Sequence, residues 1–507
     1  MVESAAPNRA MITGCVMLAT IMQAVDTTIA NVALPYMQGS VSASQDQINW
    51  VLTSYIVAAA IMTPPSGWLA ARFGRKRLFL GSVVGFTCAS VLCGMAGSLT
   101  QIVLYRLLQG IFGAALVPLS QAVLLDTWPR EKHGSAMAMW GVGVTVGPIL
   151  GPALGGWLTD NYSWRWVFYI NVPVGILAFV GMMTFLTETK RVVGNRFDWF
   201  GFGMLSLGVG ALQLMLDRGE LLDWFGSTEI IVEAVLSGLG FYLFLVQTMT
   251  GKRPFVTPAL FRDRNFSTGL VCIFSLGIVL YGSLALTSPY LQTLMDYPVV
   301  TAGLVMAPRG IGTMVAMFVV GRLIGRIDTR LLLLVGFSLT AWSLWLMTGF
   351  NTNVSEAAIV WTGVAQGAGL GLLFVPLSTV TFATLAPQFR NEATGLFSLL
   401  RNMGGSIGIS VVTSLLTSNT QVNHSEIVAH VTRFNHAFDS AVVQRFWSPF
   451  TASGQAALDA EVTRQATLIA YIDDFKLMML VALLSIPLVF LLRKPARGSA
   501  PGAVALD

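Results

Sequence analysis

The sequence predicts an all-α polytopic membrane protein of 14 spanning helices, arranged as two six-helix bundles with two further helices inserted between them. Three observations lead there. Of the 507 residues, 54% are hydrophobic and 11% charged, whereas soluble domains carry roughly 25% charged residues. A spanning helix needs about 20 mainly apolar residues, and such windows recur along the whole chain, separated by short stretches that hold most of the charges. The second half of the chain also echoes the first: Gln109-Gly110 and Val117-Pro118-Leu119-Ser120 return as Gln366-Gly367 and Val375-Pro376-Leu377-Ser378.

Taken in order, the first window, 10–33, is too long for a signal peptide and lacks a convincing cleavage site, so it reads as a retained span. Window 49–70 runs into the basic stretch Arg72, Arg75, Lys76 and Arg77. Windows 78–97 and 102–125 give spans 3 and 4; the glycine-rich window 135–158 gives span 5, and 166–186 gives span 6, ending before Lys190 and Arg191. Windows 199–216 and 229–249 have no counterpart in the repeat and read as the insertion. Windows 266–288, 302–324, 331–349, 356–381, 394–417 and 475–492 complete the second bundle. The expected divisions are therefore residues 1–195, 196–265 and 266–507, the last including an extramembrane loop, 418–474.

An even count puts both termini on one side, and the placement of Lys and Arg makes that side the cytoplasm. The net charge of +5 then belongs to the inner loops and does not indicate nucleic-acid binding. Cys15, Cys88, Cys93 and Cys272 all fall inside expected spans, where a disulfide framework is implausible. The chain has no phosphate-binding Gly-x-x-x-x-Gly-Lys-Ser/Thr loop, no nucleophile motif and no metal-ligand spacing; His424, His430 and His436 are spaced too widely around a helix to converge. No enzyme activity, cofactor or metal is expected.

Internally repeated transporters place the substrate path between their halves, which directs attention to polar groups inside the spans. Asp26 is the only carboxylate well inside an expected span, and intramembrane ionisable groups are costly enough to mark function. At about 1.5 Å per residue, Asp26 in outward-running span 1 and Arg106 in inward-running span 4 reach the same outer half of the membrane. Burial disfavours the ionised carboxyl and a nearby Arg favours it, an opposition suited to a proton switch; a fixed bridge between spans 1 and 4 is the other reading. Gln23, Gln109 and Gln366 are candidates for the pocket wall, as are Arg309 and Arg401, with Tyr281 and Phe374 as apolar contacts. Three embedded arginines against one acid favour weakly acidic or neutral substrates, unless each Arg is satisfied by neutral groups.

Gly143, Gly147, Gly151 and Gly155 share one helical face, where small residues allow close approach. Pro148 and Pro152 bend the same helix. The face reads either as generic helix packing or as a tight seam between the bundles, the seam being favoured by the family resemblance given next. Gly67, Arg72, Gly74 and Arg75 lie in the basic loop after span 2, where Arg72 and Arg75 read as topology determinants, with Gly321 to Arg326, Asp328 and Arg330 as the second-half counterpart after span 10.

Five stretches resemble the 14-helix drug:proton antiporters of the major facilitator superfamily. They are Asp26-Thr-Thr-Ile-Ala-Asn-Val-Ala-Leu-Pro35, Gly67-Trp-Leu-Ala-Ala-Arg-Phe-Gly-Arg-Lys-Arg77, Arg106-Leu-Leu-Gln-Gly110, Gly147-Pro-Ile-Leu-Gly-Pro-Ala-Leu-Gly-Gly156 and Leu216-Asp-Arg-Gly-Glu-Leu-Leu-Asp-Trp224. The last, with the long loop before span 14, is similar to EmrB-type pumps. The resemblance implies the major facilitator fold, proton-driven export of lipophilic compounds across the cell inner membrane, a proton-coupling role for Asp26 and Arg106, and a gate role for the basic loop. It also implies a periplasmic adaptor (membrane fusion) protein and a TolC-like outer-membrane channel as partners. One position departs: Ala71 stands where the family usually carries an acid that latches the gate. A proton-coupled importer, a non-transporting sensor and a lipid-handling protein are the competing functions.

Overall fold

The computed structural model describes residues 8–189, 197–251, 254–431, 447–448 and 450–493. Among them are sixteen helices of eight residues or more and no strand. In chain order they are α1 Arg9–Val41, α2 Trp50–Met62, α3 Ser66–Phe73, α4 Arg75–Met95, α5 Leu99–Gly113, α6 Leu116–Thr127, α7 His133–Asn161 and α8 Asn171–Phe185. Then come α9 Trp199–Arg218, α10 Thr228–Thr250, α11 Arg264–Pro289, α12 Val299–Leu323, α13 Thr329–Met347, α14 Glu356–Ala383, α15 Arg390–His430 and α16 Ala452–Val489. Side-chain caps begin several of them: Ser98 accepts from Gln101, Asp198 from Gly201, Asp263 from Phe266 and Ser355 from Ala358, each satisfying a backbone N–H that has no partner within its helix.

With α2 continuing into α3, and α5 into α6, the helices form fourteen rods. Eleven segments are long and apolar enough to cross a membrane, so the chain is a multi-pass membrane protein. Two further rods fall short for local reasons: the second is broken between α2 and α3, and the apolar end of α16 contains Asp473, Asp474 and Lys476.

The repeat read in the sequence is also a repeat of packing. In the first half α7 lies along α1 and α5 along α2; in the second α15 lies along α11 and α14 along α12. Rod five pairs with rod one, and rod four with rod two, in each half. The halves meet where α7 packs on α12, and where α3 and α6 pack on α15. Helices α9 and α10 pack chiefly on each other, and α9 leans on α2 and α15.

Two expectations change. The glycine face of α7 is not the seam between the bundles, because it packs on α1 within the first half. A Cβ on Gly147 would strike the backbone of Ala24, one on Gly151 would meet the Thr28 hydroxyl, and one on Gly155 would sit 2.9 Å from Ile29; on Gly143 it would meet only the end of the Met17 side chain. The opposite face of α7 makes the inter-half contact, with Gly134 against Ile324, Ala138 against Gly321 and Gly141 against Met317. Pro148 and Pro152 lie in α7, but their side chains are outside the described residues.

The stretch 418–474 is also largely helix rather than loop. Its 432–446 segment, with His436, lies outside the described residues. Helix α15 has 41 residues and α16 has 38, lengths of about 60 Å and 57 Å at 1.5 Å per residue; a hydrocarbon core is about 30 Å thick. Both rods therefore project well past a bilayer. Their projecting parts are tied by the Asn423 amide donating to the Ala466 carbonyl at 3.4 Å and by His424 with Asp459 at 3.0 Å.

Candidate functional site

Asp26 sits in the middle of α1 with no solvent exposure. Its Oδ2 accepts from Arg106 Nη1 at 2.8 Å, and its Oδ1 accepts from Gln109 Nε2 and from Asn171 Nδ2, each at 2.8 Å. Arg106 and Gln109 lie three residues apart on α5 and so share a face; Arg106 Nη1 also donates to Gln109 Oε1 at 2.8 Å. The guanidinium Nε donates to the Val51 carbonyl at 3.1 Å, and the group lies over the Tyr55 ring at 4.3 Å and near Phe168 at 5.7 Å. Asn171, first residue of α8, donates in addition to Ser90 Oγ at 2.9 Å. The Asp26 carboxylate thus ties α1 to α5 and α8, and through Asn171 and Ser90 to α4, in a buried cluster.

The structure brings together three residues selected from sequence, Asp26, Arg106 and Gln109. Gln23 stands one link away, donating to Tyr55 Oη at 3.1 Å. Asn171, Tyr55 and Ser90 escaped the reading. Asn171 had a usable signal, an amide at the head of an apolar span, but it lacks the charge that made Asp26 conspicuous.

The second-half candidates do not join this cluster, and they form a different environment. Arg309 on α12 donates through Nη2 to Ser283 Oγ at 2.9 Å, while Nη1 has no partner among the described residues. Gln366, the repeat mate of Gln109, is fully buried with neither amide atom hydrogen-bonded among the described residues. Arg401 donates to Asn402 Oδ1 at 3.4 Å, and its guanidinium lies 6.0 Å from the Phe374 ring. Phe374 stacks on Trp140 of α7 at 5.4 Å across the junction of the halves, and Trp140 is anchored by donating to Ser120 Oγ at 2.7 Å. Tyr281 instead packs on Gly405 within the second half. Neither Arg309 nor Arg401 has an acid partner among the described residues. Asp26 is not the only buried acid either: Asp474, at the edge of the last expected span, is 1% exposed.

At the end of the bundle nearer Arg9, the basic loop closes on the second half. Gly74 has φ +92° and turns the chain between α3 and α4. Gly67 lies so close to α15 that an added Cβ would be 2.9 Å from the Glu392 backbone. Arg75 is buried, pairing with Asp126 Oδ2 at 2.5 Å and donating to Asn391 Oδ1 at 2.7 Å. Arg390 of the second half binds the other oxygen of the same Asp126. Arg72 is exposed. Asp126 and Arg390 went unnoticed in the sequence, since charges at span ends are ordinary. With Ala71 in place of the family's usual acid, Asp126 supplies the carboxylate between the halves. Ser135 adds a hydroxyl donating to the Gly321 carbonyl at 3.1 Å.

Residues 16–409 match the model of the Major Facilitator Superfamily. The Multidrug export protein EmrB of Escherichia coli (strain K12) is 36% identical over 493 residues, covering 96% of each chain. The chain belongs to the major facilitator superfamily and, within it, to the EmrB-type group. The Fatty acid resistance protein FarB of Neisseria gonorrhoeae is 35% identical over 490 residues, again 96% of each chain. Among solved structures of this superfamily, the human organic anion transporter MFSD10 (TETRAN) superposes with a TM-score of 0.61 at 15% identity, over 94% of this chain and 100% of that one. The proton:xylose symporter XylE gives 0.60 at 14% identity, over 93% and 94%. At these identities both speak for the fold alone.

Proposed function

We propose that this chain is a proton-coupled antiporter exporting lipophilic toxic compounds or drugs, with weak acids and neutral amphiphiles foremost. In this reading all fourteen rods span the cell inner membrane with both termini cytoplasmic, as two six-helix bundles and an inserted pair, and the chain is the inner-membrane part of a tripartite assembly with a periplasmic adaptor and an outer-membrane channel. The observation that carries it is the Asp26 cluster. A carboxylate with no solvent exposure, held by Arg106, Gln109 and Asn171, changes its charge balance whenever a shift of α1, α5 or α8 removes a donor. The names of the relatives, multidrug export and fatty acid resistance, support export of apolar and weakly acidic compounds. Arg309 and Arg401, without acid partners among the described residues, support room for an anionic or polar group.

One proton moving inward down about 100 mV releases about 2.3 kcal/mol, and one pH unit adds about 1.4. Exchanged one for one with a neutral substrate, that sustains a gradient of roughly 500-fold. The test is proton flux in proteoliposomes with an imposed pH gradient, on adding a fatty acid, the neutral dye Nile red or the cation ethidium, with Asp26→Asn as control. Flux opposite to substrate and absent in the variant is expected; flux in the substrate's direction would make the chain an importer, and undiminished export by Asp26→Asn would remove Asp26 from coupling.

A further inference from the structure

The second half holds a buried acid that the Asp26 cluster does not use. Asp474, on α16, is 1% exposed, and neither of its carboxylate oxygens has a hydrogen-bond partner among the described residues. It lies where α16 packs on α11, α13 and α15, next to an apolar cluster containing Tyr290, Phe350, Tyr471, Phe475 and Met478. The two tyrosines of that cluster are otherwise engaged: the Tyr290 hydroxyl donates to the Asn351 carbonyl at 3.0 Å, and its ring meets Tyr471 edge-on at 5.5 Å.

Burial without a hydrogen-bond partner disfavours the charged form of a carboxyl and favours the protonated one. Among the described residues, no charged group on the surrounding elements hydrogen-bonds to Asp474. The adjacent Asp473 pairs with Lys476 at 3.0 Å. Beyond the π-turn that follows α11 come Asp296 and Tyr297. On α15, Arg401 lies over Phe374, Arg390 binds Asp126, and His424 pairs with Asp459. Helix α13 carries one cation, Arg330, in its first turn at the far end, and α11 carries Arg264 at its start.

One cation of the same half is only partly satisfied. Arg309 Nη1 is without a partner among the described residues, and its Nη2 is bound to Ser283 on α11. The neighbouring Gly282 faces Met478, one helical turn along α16 from Asp474. The orphaned acid and the half-satisfied cation thus flank the same stretch of α11 from two sides.

We propose that Asp474 is a second proton-binding site, in the opposite half from Asp26, holding its proton in the conformation described here and releasing it when α16 shifts on α11 toward Arg309 or water. This rests on the proton-coupled reading and deepens it: the chain exchanges more than one proton per cycle, one acid in each half.

The first experiment uses the unmodified full chain in proteoliposomes. Dicyclohexylcarbodiimide adds to protonated carboxyls in apolar surroundings, and peptide mass spectrometry locates the adduct. An adduct on Asp474 is expected at acidic pH, its yield falling about tenfold per pH unit once the proton is lost. No adduct at any pH, or an adduct with no pH dependence, would overturn the proposal, and neither result requires a variant to fold. The second compares the steady Nile red gradient driven by a fixed pH gradient in Asp474→Asn and Asp474→Glu. A large fall in Asn, largely restored in Glu, is expected; an unchanged gradient in Asn would overturn the coupling role. If the unmodified chain moves no protons with Nile red, ethidium or a fatty acid, the antiport reading fails and the second-proton proposal falls with it. A labelled Asp474 would then be a buried neutral acid and nothing more.

Discussion

Asp26 accepts three hydrogen bonds from α5 and α8, and the two amide donors act through the same oxygen. Hydrogen bonds to a charged group contribute about 1.5–3 kcal/mol each. Asn171→Ala is therefore expected to lower stability in detergent by about that amount, and the loss should vanish in an Asp26→Ala background, where no carboxylate remains to be served. A loss undiminished in that background would show that Asn171 acts through Ser90 alone. Arg106→Ala is expected to be worse, at about 3–5 kcal/mol, because it strands a buried anion; Arg106→Lys keeps the charge but cannot serve Asp26, Gln109 and the Val51 carbonyl at once. Thermal unfolding of the purified variants measures both. At this scale the sequence was legible where cost is greatest: an acid and an Arg in apolar spans stand out, and i, i+3 spacing adds Gln109. Asn171 and Tyr55 did not stand out, because neutral polar residues are common enough in spans to be unremarkable one at a time.

Helix α7 shows what periodicity can and cannot say. A four-residue glycine repeat defines a face, but only the fold decides which neighbour fills it, and here that neighbour is α1. The consequence is graded. Gly147→Ala should overpack the α1 contact, costing about 1–3 kcal/mol or more, since the Ala24 backbone cannot step aside. Gly143→Ala meets only the flexible end of Met17 and should be tolerated. Fluorescence-detected size exclusion of the two variants separates these outcomes; equal loss in both would mean the glycines matter for something other than contact with α1. The long helices α15 and α16 were half visible, in the helical composition after Ala456, but a polar helix outside a membrane carries no hydropathy signal to mark its extent.

For the whole molecule, the Arg75, Asp126 and Arg390 network is the ionic tie between halves at one end. Arg390→Ala should loosen that end. A cysteine at position 135, whose native serine bonds to Gly321 across the same junction, should then react with a maleimide several-fold faster than in the otherwise unaltered chain; no change in rate would mean the tie is dispensable. Replacing residues 420–470 by a short Gly/Ser linker should leave export in vesicles but remove protection in whole cells, if the projecting helices meet an adaptor. The internal repeat was legible as matching packing in the two halves, whereas Asp126 and Arg390 stayed hidden because they lie more than 260 residues apart in sequence. Helix α15 connects these matters mechanically. It is one uninterrupted rod, with the tie to Asp126 at its first residue and the projecting hairpin at its last. If it pivots about its middle by about 15°, a rotation typical of switching proteins, the two ends of a rod about 60 Å long swing roughly 8 Å in opposite directions. The helix is then a lever, and whatever grips its outer tip can feel, or resist, the opening of a lock on the far side of the membrane.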